Sequence, residues 1–305
     1  MSETASLLTF VLALAFDVLV GEPPAKIHPV VWIGKLISYL KAMTGPTPTK
    51  ITGLIVASIV ILSTVVAGHI LVWMVGPLGI FVAAYLLKST FAVRCLLQTS
   101  SDIGKAIDND MNMAKGMLPA LVGRNTADLT RAQAVSSVIE SLYENYVDAI
   151  LSPILLYLAF QPLGLGLEAA LAFKAISTMD SMLGYKTKSL KEIGYFPAHL
   201  DDLANFIPAR ISIFFIAMAN PKRASEALDT ALKYHSATPS PNSGWPMAAA
   251  AGSLNLRLEK PGFYVLQAKG KDPDTSDVPR ALSLMTSVLI LTAAAALIIL
   301  ALLQP

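Results

Sequence analysis

Residues 281–303 form an apolar run that contains no charged side chain. A helix of this length crosses a bilayer whose hydrocarbon core is about 30 Å thick. Two further runs of the same character occupy residues 51–74 and 78–93. Charged residues make up 14% of the chain and hydrophobic residues 54%, whereas about 25% of the residues in a soluble domain are charged. We therefore expect an all-α, polytopic integral membrane protein.

Weaker apolar segments leave the number of membrane segments open between four and six. Residues 149–160 and 163–176 form a pair joined by Gln161 and Pro162. Glu168 stands inside the second half, which makes that half a poor lipid-facing helix. The pair is therefore either two crossings or a shielded, re-entrant segment.

Residues 203–219 are apolar in composition, but Pro208 and Arg210 lie in their middle. This pattern favours a short packed helix over a lipid-exposed span. If the segment does not cross, every later cluster of basic residues can face the cytoplasm, as the positive-inside rule requires. We expect one membrane domain over residues 1–305, with cytoplasmic segments, including amphipathic helices at 102–118 and 128–147, at about 94–148, 174–202 and 220–280.

Asp17 lies inside the apolar stretch 5–20, and Gly21-Glu22-Pro23-Pro24 and His28-Pro29 follow it. A charged group at that depth is costly, so it usually faces a protein interior or a polar cavity. The prolines prevent the helix from continuing. The pattern predicts a site built by the membrane segments. Lys88, near the end of the run 78–93, is expected to extend its ammonium to the membrane interface.

Glu140, Glu144 and Asp148 recur every four residues, which places them on one face of a helix. Like charges at this spacing destabilise a helix, and no Lys or Arg stands three or four residues away. Mg²⁺ bound by carboxylates and a substrate phosphate would neutralise the row. The alternative is a solvated acidic face, but the row leads into an apolar stretch, which favours the metal site.

A second acidic group comprises Asp201, Asp202 and Asn205. Arg210, further along the same segment, is a fixed cation suited to a carboxylate or phosphate. Helix capping is the alternative explanation for the aspartates. Upstream, the turn Gly123-Arg124-Asn125-Thr126 either presents donors to an anion or simply leads into the next helix.

Two further polar segments are ambiguous. Asp180, Tyr185 and Lys186 follow the segment 163–176, and a polar interfacial turn explains them equally simply. Residues 240–246, which include Asn242 and Trp245, form a proline-rich loop. That loop either packs over a bulky ligand or is a well-packed turn.

Several classes of protein are excluded by the residues that the sequence lacks. The net charge of only +2 gives no basic field for nucleic acid. The sequence has no phosphate-binding Gly-rich loop, no dinucleotide fingerprint, no His/Cys metal cluster and no Gly-x-Ser-x-Gly elbow. A zinc enzyme or a hydrolase with that elbow is therefore not expected. The single cysteine, Cys95, is interpreted as a packing residue of an apolar helix.

Taken together, these segments resemble the adenosylcobinamide-phosphate synthase family, integral membrane proteins of cobalamin biosynthesis. Two positions depart from the family pattern: Thr238 precedes Pro239 where many members have a histidine, and Met247 stands where they have an acidic residue. The matching stretches run in family order from residue 17 to residue 246, namely Asp17 with 21–24, 28–34, 123–126, 140–145 with Asp148, 178–185, 200–205 with 208–210, and 240–246.

The resemblance implies formation of an amide bond between aminopropanol, or its phosphate, and a carboxylate of adenosylcobyric acid. It also implies that ATP is a co-substrate and Mg²⁺ a cofactor, and that the active site lies on the cytoplasmic side of the cell membrane. Our hypothesis is that Glu140, Glu144 and Asp148 bind the metal, while Asp180 or Asp202 accepts the amine proton. No ATP-binding motif is recognisable. The predicted substrate-binding residues are Glu22, His28, Arg124, Asn125, Tyr185, Lys186, Asn205, Arg210, Asn242 and Trp245.

Two other classes of function stay open. A transporter would place its polar residues at mid-bilayer in broken spans, as Asp17 and Glu168 suggest. A sensory or regulatory membrane protein of the same fold would keep the spans without needing the acidic rows. The expected partners are a corrinoid, aminopropanol phosphate and membrane lipid, and the sequence leaves the oligomeric state open.

Overall fold

The computed structural model describes residues 3–123, 126–185, 187 and 190–304, except for the side chains of residues 3 and 4. Helices dominate it, and one antiparallel hairpin pairs Leu258 with Leu266. The elements are α1 (Glu3–Leu19), α2 (Pro29–Met43), α3 (Lys50–Met74), α4 (Gly79–Lys88), α5 (Val93–Asn109), α6 (Met111–Met117), α7 (Arg131–Tyr146), α8 (Ser152–Phe160), α9 (Gly166–Leu183), α10 (Tyr195–Ala204), α11 (Phe206–Ala219), α12 (Ala224–Tyr234), α13 (Gly244–Leu254), β1 (Leu258–Lys260), β2 (Tyr264–Leu266) and α14 (Asp277–Leu302).

Within the described part of the chain, five helical stretches are long and apolar enough to cross a membrane. The predicted all-α, multi-pass membrane architecture is therefore confirmed. The shorter apolar helix at Ala5–Leu19 precedes them. The five stretches are Lys50–Met74, Gly76–Asn109, Arg131–Leu163, Tyr195–Ala219 and Asp277–Leu302.

The stretch Tyr195–Ala219 is longer than the short helix that the sequence predicts. Pro208 is tolerated because it lies in the first turn of α11, where a backbone N–H has no partner within the helix. Phe214 and Met218 are exposed apolar side chains on this helix. Its length and composition permit a crossing, and whether it crosses stays a prediction that needs a topology measurement.

The helices group into two compact units. The first unit contains the described residues within 1–93, 148–204 and 296–305, and the second contains those within 94–147 and 205–295. The assignment of residues 1–305 to one membrane domain with three cytoplasmic segments stays a prediction.

The core of the first unit is formed by α2, α3 and α9. Ile37, Val60 and Met179 are fully buried there. Gly53 lets α3 approach the backbone near Ile193, because a side-chain carbon at residue 53 would overlap that carbonyl oxygen. Burial of these apolar side chains supplies the main driving force for packing the unit.

A π-helical turn, Val147–Leu151, follows α7. Pro153 has no N–H to donate to the carbonyl oxygen of Ala149, four residues earlier. That oxygen instead accepts a hydrogen bond from the backbone N–H of Ala92, at 3.2 Å. The proline therefore frees an acceptor that links the start of α8 to the end of the α4 segment.

In the second unit α7 is far more buried than a surface amphipathic helix. All residues from 134 to 143 are buried. The hydroxyls of Tyr143 and Tyr146 reach α14, where they contact the carbonyl oxygen of Ala281 (3.1 Å) and the hydroxyl of Thr292 (2.7 Å). The predicted helix at 102–118 is divided at residue 110 between α5 and α6.

Candidate functional site

Lys88 is the centre of a charged cluster in the first unit. Its ammonium lies 3.3 Å from a carboxylate oxygen of Asp17 and donates a hydrogen bond of 2.6 Å to Glu22. The side chains of Lys88 and Asp17 are only 2% and 1% exposed. The prediction that Lys88 extends to the membrane interface is therefore wrong, because a buried carboxylate and a loop carboxylate hold it inside. The prediction that Asp17 faces a polar interior is confirmed.

Glu22 joins Lys88 to His28. Its second carboxylate oxygen lies 2.9 Å from Nε2 of His28, and Nδ1 of that histidine accepts a hydrogen bond from the backbone N–H of Val30. Nδ1 therefore carries no proton, and Nε2–H donates to Glu22. Burial alone would raise the pKa of Glu22, but hydrogen bonds from His28 and Lys88 and the positive charge of Lys88 hold it below the ordinary value.

Two further charged residues, Lys174 and Asp148, belong to this group. Lys174, on α9, is half-buried and interacts electrostatically with Glu22, Lys88 and Asp148. We call Asp17, Glu22, His28, Lys88, Asp148 and Lys174 the ionic cluster. Its members lie on α1, the loop that follows α1, α4, the π turn and α9.

Asp180 and Asp202, both in the first unit, are near enough to interact electrostatically. Asp180 is half-buried near the C-terminal end of α9, and Asp202 lies on α10. Burial raises the pKa of Asp180, and the negative charge of Asp202 raises it further. Gly184 closes one side of Asp180, because a side-chain carbon at residue 184 would overlap the carboxylate. The two predicted catalytic aspartates therefore interact.

Glu140 is held by neutral donors in the second unit. The hydroxyls of Ser136 and Tyr264 donate to its two carboxylate oxygens at 2.6 and 2.7 Å, and the residue is 4% exposed. Ser136 also accepts a hydrogen bond from the backbone N–H of Glu259, at 2.8 Å, which fixes β1 against α7. Both carboxylate oxygens of Glu140 thus accept hydrogen bonds from protein hydroxyls, and metal binding by Glu140 stays a prediction.

The predicted metal site of three carboxylates does not form as a group. Across the residues that the structure describes, no three or more His, Cys, Asp and Glu side chains are arranged to hold a metal ion. The helical spacing that suggested the site ends at the π turn, on which Asp148 lies. Metal binding by Glu144 and Asp148, both half-buried, stays a prediction.

Arg210 is held on an aromatic platform in the second unit. Its guanidinium carbon lies 3.4 Å from the ring centroid of Phe206 and 5.0 Å from that of Trp245. One guanidinium nitrogen donates to the carbonyl oxygen of Phe206 (2.6 Å) and to the side-chain oxygen of Asn242 (3.4 Å). The structure therefore brings together three predicted substrate-binding residues, Arg210, Asn242 and Trp245.

Trp245 is already covered by protein groups. The His235 ring stacks on it with centroids 3.9 Å apart, and Arg210 lies over it as well. Its buried indole N–H has no hydrogen-bond partner among the described residues. The Trp245 ring is therefore better placed to position Arg210 than to stack on a bulky ligand.

The remaining predicted residues are dispersed. Asn205 is buried between α10 and α11, and Tyr185 is 55% exposed. Arg124, Asn125 and Lys186 lie outside the described residues, so their predicted roles stay predictions.

The two departures from the family pattern have local structural roles. The Thr238 hydroxyl donates to the carbonyl oxygen of Ser240 (3.0 Å) and accepts from Ser243 (3.2 Å). Met247 is buried, and its sulfur lies 4.0 Å from the hydroxyl of Tyr264. Each residue stabilises the loop or helix on which it lies.

Sequence reasoning missed three residues of these groups, Lys174, His235 and Tyr264, and it assigned Lys88 to the membrane interface. Lys88 and Lys174 carried a usable signal, because each is a lone charge near the end of an apolar segment. His235 and Tyr264 carried none, since their partners are set by packing. Cys95 was misassigned: it is exposed on α5 and does not pack in the interior.

Comparison with known proteins agrees with the resemblance. A family described as "CobD/Cbib protein" matches residues 10–285. "Probable cobalamin biosynthesis protein CobD" of Methanothrix thermoacetophila is 50% identical, with 96% of each chain covered. "Cobalamin biosynthesis protein CobD" of Pelobacter propionicus is 37% identical, over 83% of this chain and 80% of that protein. No solved structure matches significantly. The chain therefore belongs to the CobD/Cbib protein family, and its role lies in cobalamin biosynthesis.

Proposed function

We propose that this protein is an ATP-dependent ligase that joins aminopropanol, or its phosphate, to a carboxylate of adenosylcobyric acid. The family and the names of its relatives support a step of cobalamin biosynthesis. The observation that carries the proposal is the Asp180–Asp202 pair, in which Asp180 has a raised pKa. An amine that attacks a carbonyl must lose a proton, and a carboxylate with a raised pKa is a suited acceptor.

The partner carboxylate must be activated, so negative charge has to be stabilised. Arg210 supplies a fixed cation, and only one of its terminal nitrogens is used by Phe206 and Asn242. Its other N–H groups can bind a carboxylate or phosphate oxygen. When bound, Mg²⁺ would neutralise charge on the phosphates of ATP, and we propose Glu144 and Asp148 as its protein ligands.

We further propose that the reaction takes place on the cytoplasmic face of the cell membrane. The loop that carries Glu22 and His28 follows an apolar helix, and basic residues cluster on the same predicted side. ATP is a cytoplasmic compound, which agrees with this placement.

The test uses purified protein in detergent with adenosylcobyric acid, ATP and Mg²⁺, to which aminopropanol phosphate or free aminopropanol is added. We expect a corrinoid product whose mass has increased by the added amine less one water. Comparison of the two amines identifies the donor. The Asp180→Asn variant is the control and should form product far more slowly. No product with either amine, from protein that remains folded, would contradict the proposal.

A transporter is the second candidate, and the buried Asp17–Lys88 pair favours it, because charges at membrane depth often line transport pathways. Corrinoid uptake into vesicles that contain the protein, without any amide product, would support this alternative. A regulatory protein would bind the corrinoid without product and without uptake.

A further inference from the structure

A polar cavity in the first unit lies where two candidate membrane spans end. Its volume is about 180 Å³, and its wall is formed by the C-terminal part of α3, the turn after α8 and the start of α9. The spans Lys50–Met74 and Arg131–Leu163 each contribute residues near their C-terminal ends, so we place the cavity at the level of a membrane interface. The polar and aromatic side chains in the wall are His69, Trp73, Gln161 and Glu168.

Glu168 brings a carboxylate to this cavity. Its side chain is 18% exposed, and one of its carboxylate oxygens lies 2.8 Å from Nδ1 of His69. Trp73, in the same wall, is 77% exposed. No Lys or Arg is among the described residues that line the cavity. Such a wall suits an ammonium group, because a carboxylate attracts it by charge and hydrogen bonding and an indole ring attracts it through its π face.

An apolar groove begins at the same glutamate. Its volume is about 360 Å³, and Glu168 is the one charged side chain among the described residues that line it. The groove follows α9 from Glu168 to Ile176, a distance of about 12 Å at 1.5 Å per residue. Val65 of α3, one helical turn before His69, also lines it, together with side chains of α8 and the end of α10. The cavity and the groove therefore share Glu168 and run along the same two helices.

We propose that the cavity and the groove bind one membrane lipid, with an ammonium-bearing headgroup in the cavity and a hydrocarbon chain in the groove. A lipid joins the two chemistries that the protein presents side by side, a cation for Glu168 and an apolar chain for the groove. A soluble amine would account for the cavity alone. The proposal is independent of the ligase activity, since none of these residues belongs to the Asp180–Asp202 pair or to the ionic cluster.

The experiment measures binding of defined lipids to the purified protein in detergent by native mass spectrometry. The probes are phosphatidylethanolamine, phosphatidylglycerol with the same chains, and glycerophosphoethanolamine, which has the headgroup without the chains. The wild type should bind phosphatidylethanolamine at least about tenfold more tightly than phosphatidylglycerol, which lacks the ammonium. It should bind glycerophosphoethanolamine more weakly than the intact lipid, because the dispersion contacts of the chain are missing.

Two variants separate the headgroup from the chain. Glu168→Gln removes the charge but keeps an acceptor for His69, and it should weaken phosphatidylethanolamine binding at least about tenfold. Ala172→Phe narrows the groove and should weaken binding of the intact lipid about fivefold without affecting glycerophosphoethanolamine. The matched controls are Glu192→Gln, at a half-buried carboxylate of the same unit, and Ala159→Phe, at an exposed alanine of α8. Both controls should bind as the wild type does.

Three results would overturn the proposal. The first is equal affinity of the wild type for the two lipids, and the second is an unchanged lipid preference in Glu168→Gln. The third is binding of glycerophosphoethanolamine as tight as that of the intact lipid, together with unaltered lipid binding in Ala172→Phe. That last result would mean that the cavity recognises a soluble amine and that no chain occupies the groove.

A second measurement needs no variant and so does not depend on a variant that folds. A phosphatidylethanolamine with a photoreactive group in its chain is added to the wild-type protein, which is then illuminated and digested. Attachment should concentrate in residues 165–176 and should decrease when unlabelled phosphatidylethanolamine competes. Attachment spread evenly over the apolar helices, or equal competition by phosphatidylglycerol, would contradict the proposal.

Discussion

At the scale of single residues, the environment of each carboxylate differs and suggests its role. Glu140 accepts hydrogen bonds from two neutral hydroxyls, Glu22 accepts hydrogen bonds from a lysine and a histidine, and Asp180 feels the negative charge of Asp202. Hydroxyl donors suit a carboxylate with a structural role, and a neighbouring cation keeps a carboxylate ionised. A neighbouring anion raises the pKa of a carboxyl group and makes the carboxylate a stronger base. Three residues of similar chemistry therefore lead to three different predictions.

The first prediction concerns the pH dependence of the reaction. Asp180 must be ionised to accept a proton, so kcat/KM should fall as pH decreases through its raised pKa. Asp202→Asn removes the repulsion that contributes to the raised pKa, and the acidic limb should therefore move to lower pH. Asp180→Asn should reduce kcat by about 10²- to 10⁴-fold. The control is Asp229→Asn, at an exposed site on α12.

Two results would contradict this assignment. An acidic limb that stays in place in Asp202→Asn would show that Asp202 does not influence the base. A wild-type rate in Asp180→Asn would remove Asp180 from catalysis. The Asp180→Asn protein should keep or raise its thermal midpoint at neutral pH, because a half-buried ionised carboxylate is replaced by a neutral amide.

The second prediction concerns the buried ion pair. Lys88→Met leaves the carboxylate of Asp17 buried without its cation, which should cost about 3–5 kcal/mol of stability. Asp17→Asn added to Lys88→Met should recover part of that loss, because the uncompensated charge is removed. Thermal unfolding in detergent measures both variants. Additive losses in the double variant would mean that the two residues do not act as a pair.

The third prediction separates Glu140 from the proposed metal ligands. Tyr264→Phe removes a donor from the buried carboxylate and should cost about 1–3 kcal/mol of stability without changing the Mg²⁺ requirement. Glu144→Gln should raise the Mg²⁺ concentration needed for half-maximal activity. Tyr39→Phe, at a tyrosine 63% exposed on α2, is the control for removal of a phenol hydroxyl. Unaltered Mg²⁺ dependence in Glu144→Gln would exclude Glu144 as a ligand.

At the scale of elements, the ends of helices determine where the functional side chains lie. Pro153 has no N–H to donate to the carbonyl oxygen of Ala149, and that oxygen accepts a hydrogen bond from the backbone N–H of Ala92 instead. Gly184 ends α9, and its backbone N–H donates to the carbonyl oxygen of Asp180 at 2.7 Å. The helix end therefore lies directly against the proposed base.

The fourth prediction tests this helix end. In Gly184→Ala the added methyl group would overlap the carboxylate and the backbone carbonyl of Asp180. The carboxylate must move, and activity should fall at least about tenfold, as expected for a displaced catalytic group. Gly116→Ala is the matched control, since nothing lies within 4 Å of the added carbon on α6. Full activity in Gly184→Ala would show that Asp180 tolerates displacement or is not the base.

At the scale of the whole molecule, the open question is whether Tyr195–Ala219 crosses the membrane. The length and apolar composition of this stretch permit a crossing, whereas the distribution of basic residues favours a stretch that does not cross. A crossing would place residues 220–280 on the opposite side from residues 174–194. The two topologies therefore differ in a measurable way.

The fifth prediction uses cysteine labelling from one side of sealed vesicles. The native Cys95 is exposed, so it is first replaced by serine. Single cysteines are then introduced at Lys191 and Lys222, both exposed, and at Leu78, which is 64% exposed. We expect an impermeant maleimide to label positions 191 and 222 from the same side and position 78 from the other. Labelling of 191 and 222 from opposite sides would establish that Tyr195–Ala219 is a span.

The class of the molecule follows from the amino-acid sequence alone, because a charge-free run of bilayer length has few other stable environments. The sequence also selected Asp17, Asp180, Asp202 and Arg210 as chemically unusual residues, since charges near apolar segments are costly. The interaction partners of these residues, in contrast, became known from the folded structure. Lys88 meets Glu22 across 66 residues, and Tyr264 meets Glu140 across 124. Such pairs depend on how helices pack, and local periodicity carries no information about which distant side chain supplies a donor.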